Sequence, residues 1–319
     1  MKRALPLANL KIGHATDPAG LTGCTAVLCE KGAVAGMDQR GTAAGTRQTD
    51  SLSPTHLVDR IYGVCLCGGS ILGLQATDGV MQYLREKDIG FDAVVARIPI
   101  VPAAVIFDLA LGSADVFPSR EMGYQAAVQA LPEIPAVGSV GAGTGATVGK
   151  SNGLSCAMKG GFGFFTAKNE GGLVAVALTV VNSFGDVLDY QSGKILAGAR
   201  AAAGSRRFIG SFQSLSRGEE RQPSLFQNTT LAVVATNARL TKPQATKIAQ
   251  MAMNGIIRTT SPAVSLYDGD VVFVLSVGNR DFDLNTVGCL AELAVGRANN
   301  VAVLQADGFG KIPSCSDLK

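Results

Sequence analysis

The sequence predicts a mixed α/β fold in which strands and helices alternate through both halves of the chain. Aliphatic and β-branched runs at 173–181 and 229–235 are typical of buried strands. A segment that begins at Thr241 carries apolar residues on one helical face, and threonine is a favourable helix N-cap. The 39 glycines indicate tight turns and close approaches of the backbone.

The remaining elements follow from the same patterns of apolar residues. Further strands are expected at 25–28, 61–67 and 271–277, and helices at 74–87, 241–258 and 284–297. The segment 197–222, rich in small residues and arginine, is expected to form a surface excursion. Strand character then begins abruptly at Thr229. A chain of 319 residues can form one large domain or two fused layers.

Composition excludes several classes of protein. The net charge is +3 without a basic cluster, so we expect no nucleic-acid partner. The most apolar stretch, 93–111, contains Arg97, Asp108 and prolines, which argues against a membrane helix. Seven cysteines without a secretory signal predict reduced thiols and a cytoplasmic location. Cys65 and Cys67 fit a buried strand better than a metal site, and we expect neither a metal nor another cofactor.

The choice of catalytic base is restricted by the small number of histidines. His14 and His56 are the two in the chain, and no G-x-S-x-G motif accompanies them. A hydrolase built on this sequence therefore needs another base. A free α-amine has a pKa of roughly 7.7–8.0 and can accept the hydroxyl proton of an N-terminal threonine.

The dipeptide Asn228-Thr229 meets that requirement if the bond between the two residues is broken. A turn-favouring asparagine precedes a threonine that opens a buried strand, so a self-cleaving site is one interpretation. The other is an ordinary strand start, which the dipeptide alone favours. The glycosylation sequon formed by Asn228, Thr229 and Thr230 carries little weight without a secretion signal.

Two further clusters accompany this dipeptide. Asp268 and Asp270 flank Gly269, and strand alternation would place both carboxylates on one face, where they could hold an ammonium group or share a proton. An ordinary Asp-Gly turn is the simpler interpretation. The second cluster, at 141–151, reads GAGTGATVGKS.

This glycine-rich segment nearly matches two nucleotide-binding patterns. A P-loop ending at Lys150 and Ser151 requires glycine where the chain has Thr144, and no supporting acid follows for a dinucleotide site. A nucleotide-binding protein therefore stays open as an alternative. We favour backbone amides crowded around a small site with Lys150 at its edge, and Lys159 as a less favoured second cation.

Taken together, segments along nearly the whole chain resemble one family. They read IGHATD, GAVAGMDQRG, GTRQTD, CGGSILGLQATDGVMQYL, PIVPAAVIFDL, GAGTGATVGK, AMKGGFG, ALTVVNSFGD, NTTLAVVATNARLTKPQ and DGDVVF. The chain resembles the DmpA-type aminopeptidases, which include β-peptidyl aminopeptidases and nylon-oligomer hydrolases. Those proteins look like N-terminal nucleophile hydrolases that are cleaved autocatalytically before a serine or threonine.

The resemblance assigns roles to particular residues. It implies cleavage between Asn228 and Thr229, with Thr229 as nucleophile and Asn182 as the oxyanion donor. It implies that Asp268 and Asp270 match the family's acidic or hydroxyl pair. The Asp-Gly-Asp form with a threonine nucleophile is most similar to the nylon-oligomer hydrolases.

Two matches to the family are less direct. Lys150 is the best match to the lysine of the nylon-oligomer hydrolases. A tyrosine contributes near the site in several members, and the nearest position here is Phe107, which has no hydroxyl.

The resemblance also implies an αββα sandwich, with two central sheets between helix layers. Residues 1–319 would form a single domain, cut into chains 1–228 and 229–319 that stay together and assemble as a homotetramer. We therefore expect a hydrolase of peptides, β-peptides or linear amide oligomers. The open rivals are an ornithine-acetyltransferase-like acyltransferase on the same fold, the nucleotide-binding protein and a non-catalytic scaffold.

Overall fold

The computed structural model describes residues 3–219 and 228–318. Within these ranges the strands are β1 (Lys11–Asp17), β2 (Thr22–Gln39), β3 (Thr46–Arg47), β4 (Ile61–Cys67), β5 (Phe91–Asp92), β6 (Arg97–Ile98), β7 (Ala103–Val105), β8 (Thr147–Val148), β9 (Met158–Lys159), β10 (Gly161–Lys168), β11 (Val174–Asn182), β12 (Asp186–Leu188), β13 (Ile195–Ala197), β14 (Thr229–Ala238), β15 (Thr260–Ser261) and β16 (Val271–Arg280). The α-helices are α1 (Ala76–Glu86), α2 (Arg120–Val128), α3 (Ser211–Ser216), α4 (Lys242–Thr259) and α5 (Leu284–Leu304).

The large strands form two sheet halves that are joined through β2. The strand order is β10-β11-β14-β16-β2-β4-β7-β3, and β1 pairs with the other edge of β2. The first part of β2, from Cys24 to Leu28, pairs with β4, whereas the part from Val34 to Gln39 pairs with β16. The register shifts between these parts. A single long strand therefore belongs to both halves.

Alternation along the strands divides the apolar residues into an inner core and two outer cores. Val64 and Leu66 of β4 share one buried cluster with Leu231 of β14 and Phe273 of β16. The intervening residues of β4 and β14 instead face two separate outer clusters. The two sheet halves therefore pack face to face.

Helices cover both outer faces. Apolar residues of α1 and α2 join the outer cluster of β2 and β4, and those of α4 and α5 join the outer cluster of β11, β14 and β16. Thr241 caps α4 with a full capping box, as the sequence predicts. The layers are helices, sheet, sheet and helices, which confirms the expected αββα sandwich. The two sheets are continuous through β2.

Most predicted elements occur, and two differ in an informative way. Part of the segment 197–222 packs inward, because the Arg200 guanidinium donates to the carbonyls of Ser155 and Ala157. Residues 220–222 lie outside the described ranges. The last helix extends to Leu304, and it is long and apolar enough by composition to cross a membrane. However, 61% of that stretch is buried inside the protein, where it packs as a core helix.

The α1–α2 contact depends on glycines at the crossing point. A Cβ added to Gly123 of α2 would lie 1.7 Å from the carbonyl oxygen of Ala76, and one added to Gly79 of α1 would lie 1.9 Å from that of Arg120. Because both contacts are with backbone carbonyl oxygens, no side-chain rotation can relieve them. Glycine therefore sets the close spacing of this helix layer.

Replacing Gly123 by alanine is expected to destabilise the protein. Alanine normally stabilises a helix interior by about 1 kcal/mol relative to glycine. Here the helices must separate, and overpacking costs about 1–3 kcal/mol. Thermal unfolding should show a lower midpoint for Gly123→Ala.

The matched control is Gly288→Ala in α5. A Cβ at Gly288 would lie 2.2 Å from Cε of Met251, the movable end of a flexible side chain. We expect this variant to unfold at the wild-type temperature or above it. An equal loss of stability in both variants would contradict the role given to Gly123.

Candidate active site

Strand pairing places the proposed nucleophile opposite the proposed oxyanion donor. Thr229 is the first residue of β14, and in the antiparallel register it faces Asn182, the last residue of β11. Both residues continue the inward-facing series of their strands, and both side chains are buried. Directly opposed residues of this kind have their Cβ atoms about 4.5–5.5 Å apart.

The peptide bond before Thr229 is held by backbone contacts with the neighbouring loop. The Asn228 amide donates to the Tyr267 carbonyl at 2.7 Å, and the Gly269 amide donates to the Asn228 carbonyl at 2.7 Å. The Thr229 hydroxyl also donates to the Asn228 carbonyl, at 2.5 Å. The carbonyl group that self-cleavage would attack therefore lies beside a hydroxyl and accepts a hydrogen bond from a fixed backbone amide.

The two aspartates lie on either side of Gly269 and support different parts of the site. Asp270 accepts hydrogen bonds from the amides of Thr230, at 2.6 Å, and Val264, at 3.1 Å. Asp268 accepts from the Phe184 amide at 3.1 Å and from the Ser265 hydroxyl at 2.5 Å. These contacts tie both carboxylates to the strand ends around Thr229.

Burial makes this pair a strong attractor for positive charge. Desolvation, together with the nearby charge of Asp268, raises the pKa of Asp270 to about 8. Desolvation also raises the pKa of Asp268, against the opposing effect of the Ser265 hydroxyl. Two buried carboxyl groups of this kind share a proton readily, and both are better accommodated when an ammonium group lies beside them.

The side-chain amide of Asn182 has a fixed orientation. Its Oδ1 accepts from Lys150 Nζ at 2.8 Å and from the Thr147 amide at 3.0 Å, while its Nδ2 donates to the Phe107 carbonyl at 3.1 Å. Donors on one side and an acceptor on the other leave no ambiguity about which atom is nitrogen. The amide is therefore prepared to act as a hydrogen-bond donor on the inner face.

Lys150 is the lysine that reaches this amide. Besides Oδ1, its Nζ contacts the Asn182 backbone carbonyl at 3.0 Å, and the side chain is buried. Desolvation lowers the pKa of Lys150 to about 7, against the opposing attraction of Asp268 and Asp108. Lys150 therefore binds the Asn182 amide from its oxygen side.

Lys159 has a different environment. Its Nζ donates to the carbonyls of Gly143, Ala146 and Gly160 at 2.9–3.0 Å and is fully buried. Desolvation lowers its pKa to about 7. Lys159 therefore cross-links carbonyl groups in and next to the glycine-rich segment. Among the hydrogen bonds of the described residues, none joins Lys159 to Asn182.

The glycine-rich segment has no phosphate cradle. The amides of Gly141 and Ala142 donate to the hydroxyls of Thr16 and Thr25, and the Thr147 amide donates to Asn182. Its carbonyls face Lys159, whereas a phosphate-binding loop directs free amides at the ligand. The arrangement disfavours the nucleotide-binding alternative, and of these amides that of Thr147 reaches a predicted site residue, Asn182.

Several groups in the site carry no obvious sequence signal. The Gly269 amide and the Phe107 carbonyl are backbone atoms, which residue identity does not reveal. Phe107 therefore contributes its main chain to Asn182, and it lines a small cavity together with Lys150. Asp108 and Thr22 form a buried hydrogen-bonded pair beside this cavity. The sequence signal for Asp108 is its position as the one carboxylate in the apolar segment PIVPAAVIFDL.

Both histidines lie apart from this cluster. His14 borders a cleft of about 1000 Å³ along β1 and α2, its Nδ1 lies 2.9 Å from the Thr25 hydroxyl, and burial lowers its pKa to about 4. His56 lies near Asp50. In the described ranges neither contacts Thr229 or Asn182, and no group of three or more His, Cys, Asp or Glu side chains there could hold a metal ion.

Comparison with known proteins identifies the family. Residues 7–308 match the family model described as peptidase family S58. An uncharacterized aminopeptidase of Mycobacterium leprae is 35% identical over 98% of this chain and 93% of its own length. The chain belongs to peptidase family S58. It is therefore an enzyme that hydrolyses peptide or amide bonds, and the resemblance to DmpA-type aminopeptidases is confirmed.

Other similar proteins have lower sequence identity. A 6-aminohexanoate-oligomer endohydrolase of Kocuria is 28% identical over 86% of this chain and 74% of its own length. A Burkholderia β-aminopeptidase structure has a TM-score of 0.67 at 16% identity, covering 100% of this chain and 94% of that one. An Ochrobactrum anthropi L-aminopeptidase D-Ala-esterase/amidase, described as a variant of the Ntn hydrolase fold, has a TM-score of 0.68 at 17% identity, with 96% and 88% covered. Both structures share the fold.

The buried amine of Lys159 should make stability depend on pH in a defined direction. Its folded pKa is about 7 and its ordinary value is 10.5, so between these values the unfolded chain binds a proton that the folded protein does not. The stability of the wild type relative to Lys159→Met should therefore rise with pH from 7 to 10, by up to about 1.4 kcal/mol per pH unit.

Urea unfolding of both proteins at pH 7, 8.5 and 10 measures this difference. Lys150, Asp268 and Asp270 are present in both proteins, so their own titrations largely cancel. A stability difference that stays constant, or that falls as the pH rises, would contradict the environment described for Lys159.

Proposed function

We propose that this protein is an N-terminal nucleophile hydrolase that cleaves itself between Asn228 and Thr229 and then hydrolyses amides through Thr229. The observation that carries the proposal is the Thr229 hydroxyl lying against the Asn228 carbonyl, which the Gly269 amide holds from outside the dipeptide. A strand start without chemistry needs no such arrangement.

Self-cleavage proceeds by attack of the Thr229 oxygen on the Asn228 carbonyl carbon. The Gly269 amide stabilises the negative charge that develops on the carbonyl oxygen. Collapse of the adduct breaks the C–N bond, and the released Thr229 amine takes up the proton lost by the hydroxyl. The resulting ester is hydrolysed by water to a carboxylate at Asn228 and the regenerated hydroxyl of Thr229. Asp270 helps to fix the strand start during these steps, because it holds the Thr230 amide.

The new amine becomes the general base. It accepts the proton of its own hydroxyl as Thr229 attacks a substrate carbonyl, and it returns the proton to the leaving amine. The buried carboxyl groups of Asp268 and Asp270 orient this amine and favour its protonated form after the transfer. An acyl-enzyme ester on Thr229 is then hydrolysed by water.

Asn182 stabilises the oxyanion formed from the substrate. Its amide lies opposite Thr229, and Lys150 withdraws electron density from the amide oxygen, which makes the nitrogen a better donor. The donor is fixed before substrate arrives, so the transition state requires little reorganisation.

The substrate class is proposed from the relatives. Their names are aminopeptidase and 6-aminohexanoate-oligomer endohydrolase, and each of these activities cuts an amide in a chain that carries amines. We propose linear peptides, β-peptides or amide oligomers as substrates, and a cytoplasmic homotetramer of cleaved chains as the working form. The competing acyltransferase function predicts faster turnover of N-acetylornithine than of amides.

Thr229→Ala is expected to remain a single chain and to have no amidase activity, because both reactions lose their nucleophile. Denaturing electrophoresis should show two fragments for the wild type, and N-terminal sequencing of the small one should begin TTLAVV. Thr229→Ser retains a hydroxyl and should be cleaved. Thr236→Ala, at the far end of the same strand, should be cleaved like the wild type.

These outcomes bear directly on the nucleophile. A wild-type chain that stays whole after long incubation, or a Thr229→Ala variant with full amidase activity, would refute the mechanism. Faster turnover of N-acetylornithine than of aminoacyl anilides or 6-aminohexanoate oligomers would favour the acyltransferase.

Asn182→Ala should separate self-cleavage from substrate hydrolysis. The Asn228 carbonyl accepts its hydrogen bond from the Gly269 amide and not from Asn182, so self-cleavage should continue and both fragments should still form. Loss of one oxyanion donor should lower kcat by about 10²–10³-fold with little change in KM. The measurement is steady-state kinetics on an aminoacyl anilide, and an unchanged kcat would remove Asn182 from the mechanism.

A further inference from the structure

Asp108 is a buried carboxylate that the mechanism above does not use. The residue is 4% exposed, and it lies directly after Phe107, whose carbonyl accepts a hydrogen bond from Asn182 Nδ2. Its Oδ1 accepts from the Gly69 amide at 2.6 Å, and its Oδ2 accepts from the Thr22 hydroxyl at 2.8 Å. The two contacts come from different segments, so they clamp the Asp108 side chain from two directions.

The surrounding backbone leaves space for this carboxylate and for little else. A Cβ on Gly68 would lie 2.2 Å from Asp108 Oδ2, and a Cβ on Gly145 would lie 2.6 Å from Asp108 Cβ. Gly145 belongs to the glycine-rich segment that also supplies Thr147 to Asn182. These two glycines therefore create the cavity into which Asp108 fits.

We propose that Asp108 is a positioning residue for Asn182: by clamping itself to Gly69 and Thr22, it fixes the Phe107–Asp108 peptide whose carbonyl aims the Asn182 amide. The proposal rests on the proposed oxyanion role of Asn182. The Asp108 carboxylate binds Gly69 and Thr22, and among the hydrogen bonds of the described residues none joins it to Thr229, so it acts through the carbonyl of its neighbour.

Charge adds a second effect in the same direction. The charge of Asp108 favours the protonated forms of Lys150 and Lys159, although desolvation lowers the pKa of both lysines to about 7. Asp268 acts on Lys150 in the same sense, whereas Lys159 opposes it. Burial raises the pKa of Asp108 itself to about 6, so the carboxylate is charged at neutral pH. It thereby helps to maintain the ammonium that polarises Asn182.

A double-mutant cycle tests whether Asp108 acts through Asn182. Asp108→Ala removes both tethers, and in the wild-type background it should lower kcat about 10-fold or more, with KM little changed. In the Asn182→Ala background the same change should lower kcat no further, because the amide that Asp108 positions is already gone. Equal losses in both backgrounds would overturn the proposal and indicate general damage to the fold.

Two conservative variants keep the test decisive if Asp108→Ala folds poorly. Thr22→Val removes one tether at nearly constant shape, and its kcat loss should also vanish in the Asn182→Ala background. Asp108→Asn keeps an acceptor for Gly69, and the Thr22 hydroxyl can rotate to accept from the new amide. Asp108→Asn should therefore recover most of the kcat that Asp108→Ala loses.

The pH profile of Asp108→Asn gives an independent readout. Without the carboxylate, the pKa of Lys150 should fall further, so the alkaline limb of kcat should move to lower pH. An unmoved limb would contradict the effect of Asp108 on Lys150, and additive cycles would overturn the proposal whatever the pH profile shows. These results are distinguishable from failure of the proposed function, in which Asn182→Ala or Thr229→Ala would itself leave the activity intact.

Discussion

The antiparallel pairing of β11 with β14 is the constraint on which the rest of the site depends. It brings Asn182 and Thr229 to the same level and the same face without any contribution from loops. Every other group is arranged around that pair: the Asp268 loop runs beside the start of β14, and Lys150 reaches the end of β11. Because both strands lie deep in the sandwich, a shift in their register would move the whole inner core. The proposed site is thus held by paired strands of the buried core.

The site concentrates buried ionisable side chains, which a purely structural core rarely contains. Lys150, Lys159, Asp108, Asp268 and Asp270 are all nearly excluded from water, and each is held by hydrogen bonds from fixed backbone or side-chain groups. Taking charges out of water is costly, and such clusters persist where they serve a reaction. Opposite charge reduces the cost for Lys150, because Asp268 and Asp108 both favour its protonated form.

Much of this arrangement could be predicted from the sequence, and the rest could not for physical reasons. The strand that opens at Thr229, the helix cap at Thr241 and the pairing of carboxylates around Gly269 all follow local patterns. The inward packing of Arg200 does not, because its partners are carbonyls from a segment over 40 residues away. The choice between Lys150 and Lys159 is likewise a matter of tertiary contact. Gly269 and Phe107 contribute main-chain atoms, for which residue type gives no signal.

The strand order has a consequence for any break in the chain before Thr229. Strands β14 and β16, which follow that point, lie between β11 and β2, which precede it. The C-terminal part is thus woven into the middle of the sheet and hydrogen-bonded on both sides. A nick there creates a charged terminus without creating an exposed sheet edge, so the two pieces should behave as one molecule until they are unfolded. The same interleaving suggests that the pieces, made separately, would each lack the neighbours that their central strands require.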